Sequence, residues 1–115
     1  MLLICYPKCS TCQKAKKWLD EHQISYEDRH IVENNPTFEE LKDWYGRSGL
    51  PLKKFFNTSG MLYKEMKLKD KLPEMSEEEQ LKLLATNGML VKRPLIVDGD
   101  RVLTGFKMAE WEALL

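Results

Sequence analysis

The N-terminal segment of the chain places two cysteines between a short apolar run and a helical pattern. Residues 2–6 are apolar and few, as in a buried strand, and Cys9-Ser10-Thr11-Cys12 follows closely. Helical spacing then puts the following side chains on one face: Ala15, Trp18, Leu19 and His22. Residues 24–31 predict a second strand. This β-α-β order constrains the fold to parallel strands joined by a right-handed crossover.

The middle of the chain carries two helix starts with capping-box spacing. Thr37 precedes Glu40, and Ser76 precedes Glu79, in each case by three residues. In such a pair the hydroxyl caps the first turn, and the glutamate reaches back to the N–H of the capping residue. Asn87-Gly88 predicts the end of the second helix. We therefore expect a helical insertion over about residues 37–88.

The C-terminal third changes to strand character. Two apolar runs, residues 94–97 and 101–103, flank Asp98-Gly99-Asp100, and Asp-Gly between such runs predicts a β-hairpin. A last helix is expected over about residues 107–115. The order β-α-β, helical insertion, β-β-α predicts an α/β fold, and the length of 115 residues fits a single domain.

Composition and charge exclude several classes of protein. Acidic and basic residues balance at 18 each, so the chain carries no general basic footprint for nucleic acid. No apolar run is long enough to span a bilayer, and the N-terminus lacks the features of a signal peptide. We therefore expect a cytoplasmic protein without direct nucleic-acid or membrane contact. Because cytoplasmic thiols are kept reduced, a Cys-x-x-Cys pair there is typical of redox chemistry or metal binding.

The two motif cysteines suit consecutive steps of thiol–disulfide exchange. Cys9 is expected at the start of the first helix, where unpaired N–H groups and the helix dipole stabilise a negative sulfur. Thiols at such positions ionise more readily than a free cysteine, so Cys9 is the predicted nucleophile. Cys12 lies one helical turn further in and is the predicted resolving thiol for a mixed disulfide on Cys9.

Metal binding is the competing interpretation of these cysteines, and the sequence favours it less. Cys5, Cys9 and Cys12 have the spacing of radical-SAM iron–sulfur enzymes, but a full β/α barrel takes about 250 residues. A zinc site would need His22 or His30, since no second Cys-x-x-Cys or His pair is present. We expect no metal site and no bound cofactor, with Cys5 as a small core residue.

Arg93-Pro94 is the second candidate site. A proline that opens an internal strand removes a ladder hydrogen bond, so it marks a sheet edge, a bulge or a cis peptide bond. With a cis bond, the backbone would turn towards the helix start that holds Cys9. Arg93 would then hold an oxyanion or a thiolate with its permanent charge. The alternative, a solvent-facing arginine at a strand start, is equally open at this point.

Three segments, in this order, resemble the arsenate reductase (ArsC)/Spx family. They are residues 6–15 around the cysteines, residues 35–41 at the first capping box and residues 92–97 at the strand proline. The resemblance covers nearly the whole chain. It implies a thioredoxin-like fold, in which a mixed four-stranded sheet is flanked by helices and extra helices are inserted between the two halves.

The resemblance also implies roles for the site residues. In family arsenate reductases the first motif cysteine attacks arsenate, and the arginine before the strand proline holds the oxyanion. These roles map onto Cys9 and Arg93, with Pro94 beside them as a structural residue. The implied substrate is a small oxyanion or a disulfide. The implied reductant is an external thiol system: thioredoxin, glutaredoxin or glutathione.

The sequence departs from the classical reductases in ways that bear on function. Two further arginines are not matched: Asn57 stands at one position, and residues 104–106 contain none. Each charge-assisted hydrogen bond to an anion contributes about 1.5–3 kcal/mol, so an oxyanion site is weakened unless Lys54 or Lys107 compensates. Cys12 stands where those reductases usually carry serine.

Three functions follow from this mixture of features. The preferred one is a thiol-dependent reductase that uses Cys9 and Cys12. The alternative is an Spx-like redox-sensing regulator that binds RNA polymerase, because Spx-type proteins share the Cys-x-x-Cys form and the Gly105-Phe106 pair. The third is an interaction module whose thiols are incidental.

Overall fold

The centre of the protein is one mixed sheet of four strands. The computed structural model describes residues 1–114, and in them β1 (Leu2–Cys5), β2 (Glu27–His30), β3 (Leu95–Asp98) and β4 (Arg101–Thr104) lie in the order β2-β1-β3-β4. β1 runs parallel to β2 and antiparallel to β3, and β3 runs antiparallel to β4. The predicted β-α-β and β-β-α halves therefore meet where β1 pairs with β3.

The helices fall into the predicted groups. α1 (Ser10–Glu21) joins the parallel strands, and α6 (Met108–Trp111) follows the hairpin. Between β2 and β3 lie the inserted helices: α2 (Phe38–Ser48), α3 (Met61–Glu65), α4 (Leu68–Lys71) and α5 (Glu77–Leu84). No helix in residues 1–114 is long and apolar enough to cross a membrane.

Both capping boxes form, so α2 and α5 begin where the sequence predicts. The Glu40 N–H donates to Thr37 Oγ1 at 3.1 Å, and the Thr37 N–H donates to Glu40 Oε1 at 3.0 Å. The Glu79 N–H donates to Ser76 Oγ at 3.1 Å, and the Ser76 N–H donates to Glu79 Oε1 at 3.2 Å. Each box satisfies two N–H groups that a helix start otherwise leaves unpaired.

Glu40 also joins α2 to the edge of the sheet. Arg29 of β2 donates to its two carboxylate oxygens at 2.6 and 2.8 Å. These hydrogen bonds lower the pKa of Glu40 to about 2, with the Thr37 backbone and the charge of Arg29 adding to the effect against partial burial. A bidentate pair of this kind fixes orientation as well as contributing energy.

The second strand is shorter than predicted. It begins at Glu27 rather than at residue 24, because Gln23 turns the chain with a φ of 57° and the Ile24 N–H donates to Leu19 O at 2.9 Å. The hairpin forms as expected, but Asp98 still pairs with Arg101, so the loop consists of residues 99 and 100. A two-residue hairpin loop needs a positive φ, and Gly99 supplies it at 58°.

Two helix ends also differ from the prediction. α5 stops at Leu84, and Asn87 instead begins a 3-10 turn, where its side chain accepts the Met89 N–H at 2.9 Å. The last helix is shorter than residues 107–115: α6 ends at Trp111 and a 3-10 turn continues over Glu112–Leu114. Leu115 lies outside the described residues.

The sheet separates two apolar layers, because alternate side chains of β1 point to opposite faces. Ile4 packs with the inserted helices, whereas Leu3 packs with α1 and with Trp111 of α6. Cys5 and Cys12 belong to this second layer and are 1% and 0% exposed. Cys5 is thus the buried residue that the sequence predicts, and it shares its layer with a motif cysteine.

Candidate functional site

Cys9 lies at the mouth of α1 as its N-cap residue. Its N–H donates to Tyr6 O at 3.0 Å, and its carbonyl accepts the Gln13 N–H at 3.1 Å. Gln13 Nε2 also donates to Pro7 O at 2.6 Å, which closes the loop over the first turn. The Cys9 sulfur makes no capping hydrogen bond to this turn and is partly exposed. The backbone is therefore held firmly while the thiol stays accessible.

Cys12 lies one turn further in, in a chain of three thiols that runs from the surface into the core. The pKa of Cys12 is lowered to about 6, chiefly because the Cys5 thiol hydrogen-bonds to its sulfur. The Tyr6 backbone, the Cys9 thiol and the charge of Arg93 act in the same direction, whereas burial opposes them. The same contact and burial raise the pKa of Cys5. These hydrogen bonds and the charge of Arg93 favour the thiolate form of Cys12.

Arg93 is turned into the protein at the start of β3. The Arg93–Pro94 peptide bond is cis, and Pro94 is buried directly before Leu95. The guanidinium lies over the Tyr6 ring, 5.3 Å from its centroid. Its Nε and Nη1 atoms are buried and have no hydrogen-bond partner within residues 1–114. Among the alternatives for this dipeptide, the structure shows the cis bond and an arginine that does not simply face solvent.

A cavity of about 1060 Å³ brings Cys9 and Arg93 together. One wall is residues 56–62, another is residues 104–107, and Thr11 of α1 lies beside Cys9. The first wall is fixed by antiparallel pairing: the Lys92 N–H donates to Phe55 O, and the Asn57 N–H donates to Leu90 O, both at 2.8 Å. Both positions where the resemblance implies further arginines, Asn57 and residues 104–106, line this cavity.

Cations outnumber acids around the cavity. Its lining holds five cationic side chains and one acidic side chain: Lys53, Lys54, Lys92, Arg93 and Lys107, against Glu65. The sequence predicts Cys9 and Arg93 as site residues and offers Lys54 and Lys107 as compensating cations. It does not indicate Lys92, the exposed Met61 or the Tyr6 ring beneath Arg93, because these residues come together only when distant segments pair.

The fold and the paired thiols define a thioredoxin-like α/β protein. The model of the ArsC family matches residues 5–114, and the chain belongs to this family. The predicted thioredoxin-like fold and the resemblance to the ArsC/Spx family are thereby confirmed.

Solved structures and a regulatory relative agree with this assignment. An ArsC family related protein from Bacteroides fragilis is 66% identical, with a TM-score of 0.96 over 99% of this chain and 96% of the other. A protein from Streptococcus mutans UA159 named as a possible arsenate reductase is 43% identical, with a TM-score of 0.91 over 99% and 97% of the two chains. The regulatory protein MgsR of Bacillus subtilis is 33% identical over 91% of this chain and 82% of its own length.

Proposed function

We propose that this protein is an arsenate-reductase-like thiol–disulfide oxidoreductase in which Cys9 attacks and Cys12 resolves. One observation carries the proposal: a partly exposed thiol at a helix start faces a cation-lined cavity, and a buried thiol with a lowered pKa lies one turn behind it. An exposed attacking thiol followed by a nearby resolving thiol is the arrangement that a two-step exchange requires.

The two steps balance as a transfer of two electrons. The Cys9 thiolate attacks one sulfur of a substrate disulfide, that S–S bond breaks, and the first half leaves as a thiolate. The Cys12 thiolate then attacks Cys9 Sγ, which releases the second half and forms the Cys9–Cys12 disulfide. With arsenate as substrate, Cys9 bonds to arsenic with loss of water, and attack by Cys12 releases arsenite.

Recycling requires an electron donor from outside the chain. We propose a thiol-redox protein or small thiol for this role, namely thioredoxin, glutaredoxin or glutathione, and no bound prosthetic group. The cytoplasm, where such donors keep thiols reduced, is the expected location. We also propose that the chain forms one domain, because β1 of the first half pairs with β3 of the second.

Arg93 is the proposed anion-holding residue. Its buried Nε and Nη1 groups have no partner in the described part of the chain, and a buried donor is costly unless it is used. An oxyanion or a developing thiolate beside Cys9 would pair with them. Pro94 is the proposed structural residue of this site, because it is buried between Arg93 and the first residue of β3.

Turnover measurements test this function. Purified protein with a recycling thiol system should reduce arsenate or a model disulfide, and Cys9→Ser should abolish that activity. The Ser10→Ala variant is the matched control, because it changes an exposed side chain of the same helical turn and leaves all three thiols in place. Failure to reduce either substrate, with Cys9 titratable, would remove the enzyme proposal.

A second candidate function is a redox-sensing regulator that binds RNA polymerase. The similarity to MgsR favours it, as does Cys12 in place of the serine usual in classical reductases. Pull-down of RNA polymerase with the reduced and the oxidised protein tests this function. Binding that depends on the Cys9–Cys12 disulfide would support it, and lack of binding in both states would rule it out.

A further inference from the structure

We propose that the cavity beside Cys9 is a docking groove for an acidic segment of a protein that carries the disulfide to be reduced. This inference rests on the proposed function, because the docked segment presents its disulfide to Cys9. It goes further by naming the class of substrate as an acidic polypeptide rather than an oxyanion or a small disulfide. The groove is defined as the lining of the 1060 Å³ cavity described above.

The size of the groove is the first argument. A tetrahedral oxyanion has four oxygen atoms, and a water molecule takes up about 30 Å³ of liquid, so such an ion fills roughly a tenth of the space. The volume of about 1060 Å³ instead lies just above the range, about 300–1,000 Å³, of pockets that hold drug-sized ligands. The site is built for a bigger partner than arsenate.

The charge of the groove is the second argument. The whole chain is balanced at 18 acidic and 18 basic residues, yet the groove carries five cations and one acid. In residues 1–114, none of its lysines takes part in an ion pair: Lys53, Lys54, Lys92 and Lys107. The excess of positive charge is therefore available to a partner. A groove of one sign attracts the opposite sign and speeds association.

The apolar rim is the third argument, and it favours a polypeptide over a small molecule. Met61 lines the groove and is 77% exposed, and Met108, next to the lining residue Lys107, is 50% exposed. They are two of the three large apolar side chains that the described residues leave exposed. A small disulfide bound at Cys9 would leave most of Met61 in water, whereas a protein segment would cover it. Methionine side chains adapt to varied partners.

The chemistry in the docked complex is the exchange given above. Cys9 attacks a sulfur of the bound disulfide, the leaving half departs as a thiolate, and Cys12 releases the docked half. The substrate disulfide is the oxidant, and the external thiol donor supplies the electrons for the next cycle. The lysines and Met61 of the groove therefore act on the recognition of the substrate, and the thiol steps remain those of the proposed function.

Matched peptide substrates test the proposal. Each peptide carries one cysteine in a mixed disulfide with 2-thiopyridine and differs only in its flanking residues, which are glutamates in one peptide and lysines in the other. Release of the thiopyridone gives kcat/KM. The glutamate peptide should react about tenfold faster or more, and the advantage should shrink as ionic strength rises, because exposed charge pairs contribute about 0.2–1 kcal/mol each and are screened.

Two groove variants and one control sharpen the result. Lys53→Glu/Lys54→Glu should remove or invert the preference, whereas Lys42→Glu/Lys71→Glu reverses exposed lysines outside the groove and should preserve it. Met61→Ser should slow both peptides severalfold and leave a small neutral disulfide, bis(2-hydroxyethyl) disulfide, unaffected.

The outcomes separate the docking proposal from the proposed function. Equal rates for the two peptides, or a preference that survives Lys53→Glu/Lys54→Glu, would overturn the docking proposal. Reduction of the neutral disulfide would in that case still support the proposed thiol–disulfide exchange. Oxidised glutathione reduced as fast as the glutamate peptide, with no effect of Met61→Ser, would overturn the polypeptide as partner. Failure with every disulfide, the neutral one included, would overturn the proposed function itself.

Discussion

Replacement of Arg93 by methionine should separate a functional arginine from a structural one. Two guanidinium atoms, Nε and Nη1, are buried without a partner in the described residues. A buried donor left unsatisfied costs about 1–3 kcal/mol. The cation–π contact with the Tyr6 ring stabilises the folded protein by about 0.5–2 kcal/mol. Arg93→Met keeps the volume of the alkyl chain and removes both donors together with the ring contact, so the free energy of unfolding should stay equal or rise by up to about 2 kcal/mol.

The effect of the same variant on activity should be opposite in sign. One hydrogen bond to a charged substrate contributes about 1.5–3 kcal/mol, so its loss should lower kcat/KM for an anionic substrate by roughly 10–150-fold. Arsenate and dithiodiglycolate, a disulfide with two carboxylates, report this loss. The neutral bis(2-hydroxyethyl) disulfide, of similar size, should keep most of its rate. The kcat/KM of Arg93→Lys for the anionic substrates should lie between those of the wild type and Arg93→Met, since a single ammonium replaces a planar fork of donors.

The assay pairs urea denaturation with kcat/KM for the charged and the neutral disulfide, on the wild type and both Arg93 variants. A stabilised or equally stable Arg93→Met protein with selective loss for the anionic substrates supports the account. A variant that loses more than about 2 kcal/mol of stability, the cost of a broken structural contact, and slows both disulfides equally would refute the reasoning.

Three further predictions concern groups that hold the fold and tune the thiols. Glu40→Gln should lower the free energy of unfolding by about 1–3 kcal/mol at neutral pH, because it removes the charge that pairs with Arg29. Since Arg29 lowers the pKa of Glu40 to about 2, this difference from the wild type should fade as the pH drops from the usual carboxyl range towards 2. A pH-independent difference in urea denaturation would contradict this. Gly88→Ala should lower the free energy of unfolding by about 1–3 kcal/mol, because the added Cβ would overlap the backbone carbonyl of the residue that directly follows β2. An unchanged melting temperature would show instead that the chain shifts to make room for the Cβ. Cys5→Ala should raise the pKa of Cys12 by removing its principal hydrogen-bond donor, seen as a higher midpoint of thiolate absorbance against pH, and an unchanged midpoint would contradict the thiol chain.

The parts of the fold that sequence predicts are those whose determinants are close together in the chain. Thr37 and Glu40 are three residues apart and settle their helix start by contacts with each other, so the structure agrees with the pattern. The end of α5 is different. Asn87-Gly88 has the composition of a helix stop, but α5 already ends at Leu84, and Gly88 lies in a 3-10 turn close to the backbone of Ile31, a residue distant in the chain.

The same distinction holds at the candidate site. The spacing of Cys9 and Cys12 places them one turn apart in any helix that begins there, so both could be named from sequence. Arg93 could be named because a proline follows it. The Tyr6 ring, by contrast, contacts Arg93 only when β1 and β3 pair, and the groove lysines come together only when the segment around Phe56 pairs with Val91. No local sequence pattern predicts these contacts.

Trapping of the covalent intermediate tests the central claim most directly. Cys12→Ser protein, mixed with a disulfide substrate and digested without reductant, should show by peptide mass spectrometry a stable adduct on Cys9, whereas the wild type should show a Cys9–Cys12 disulfide. An adduct on Cys5, or steady turnover by Cys12→Ser with no adduct at Cys9, would contradict the assignment of the attacking and resolving thiols.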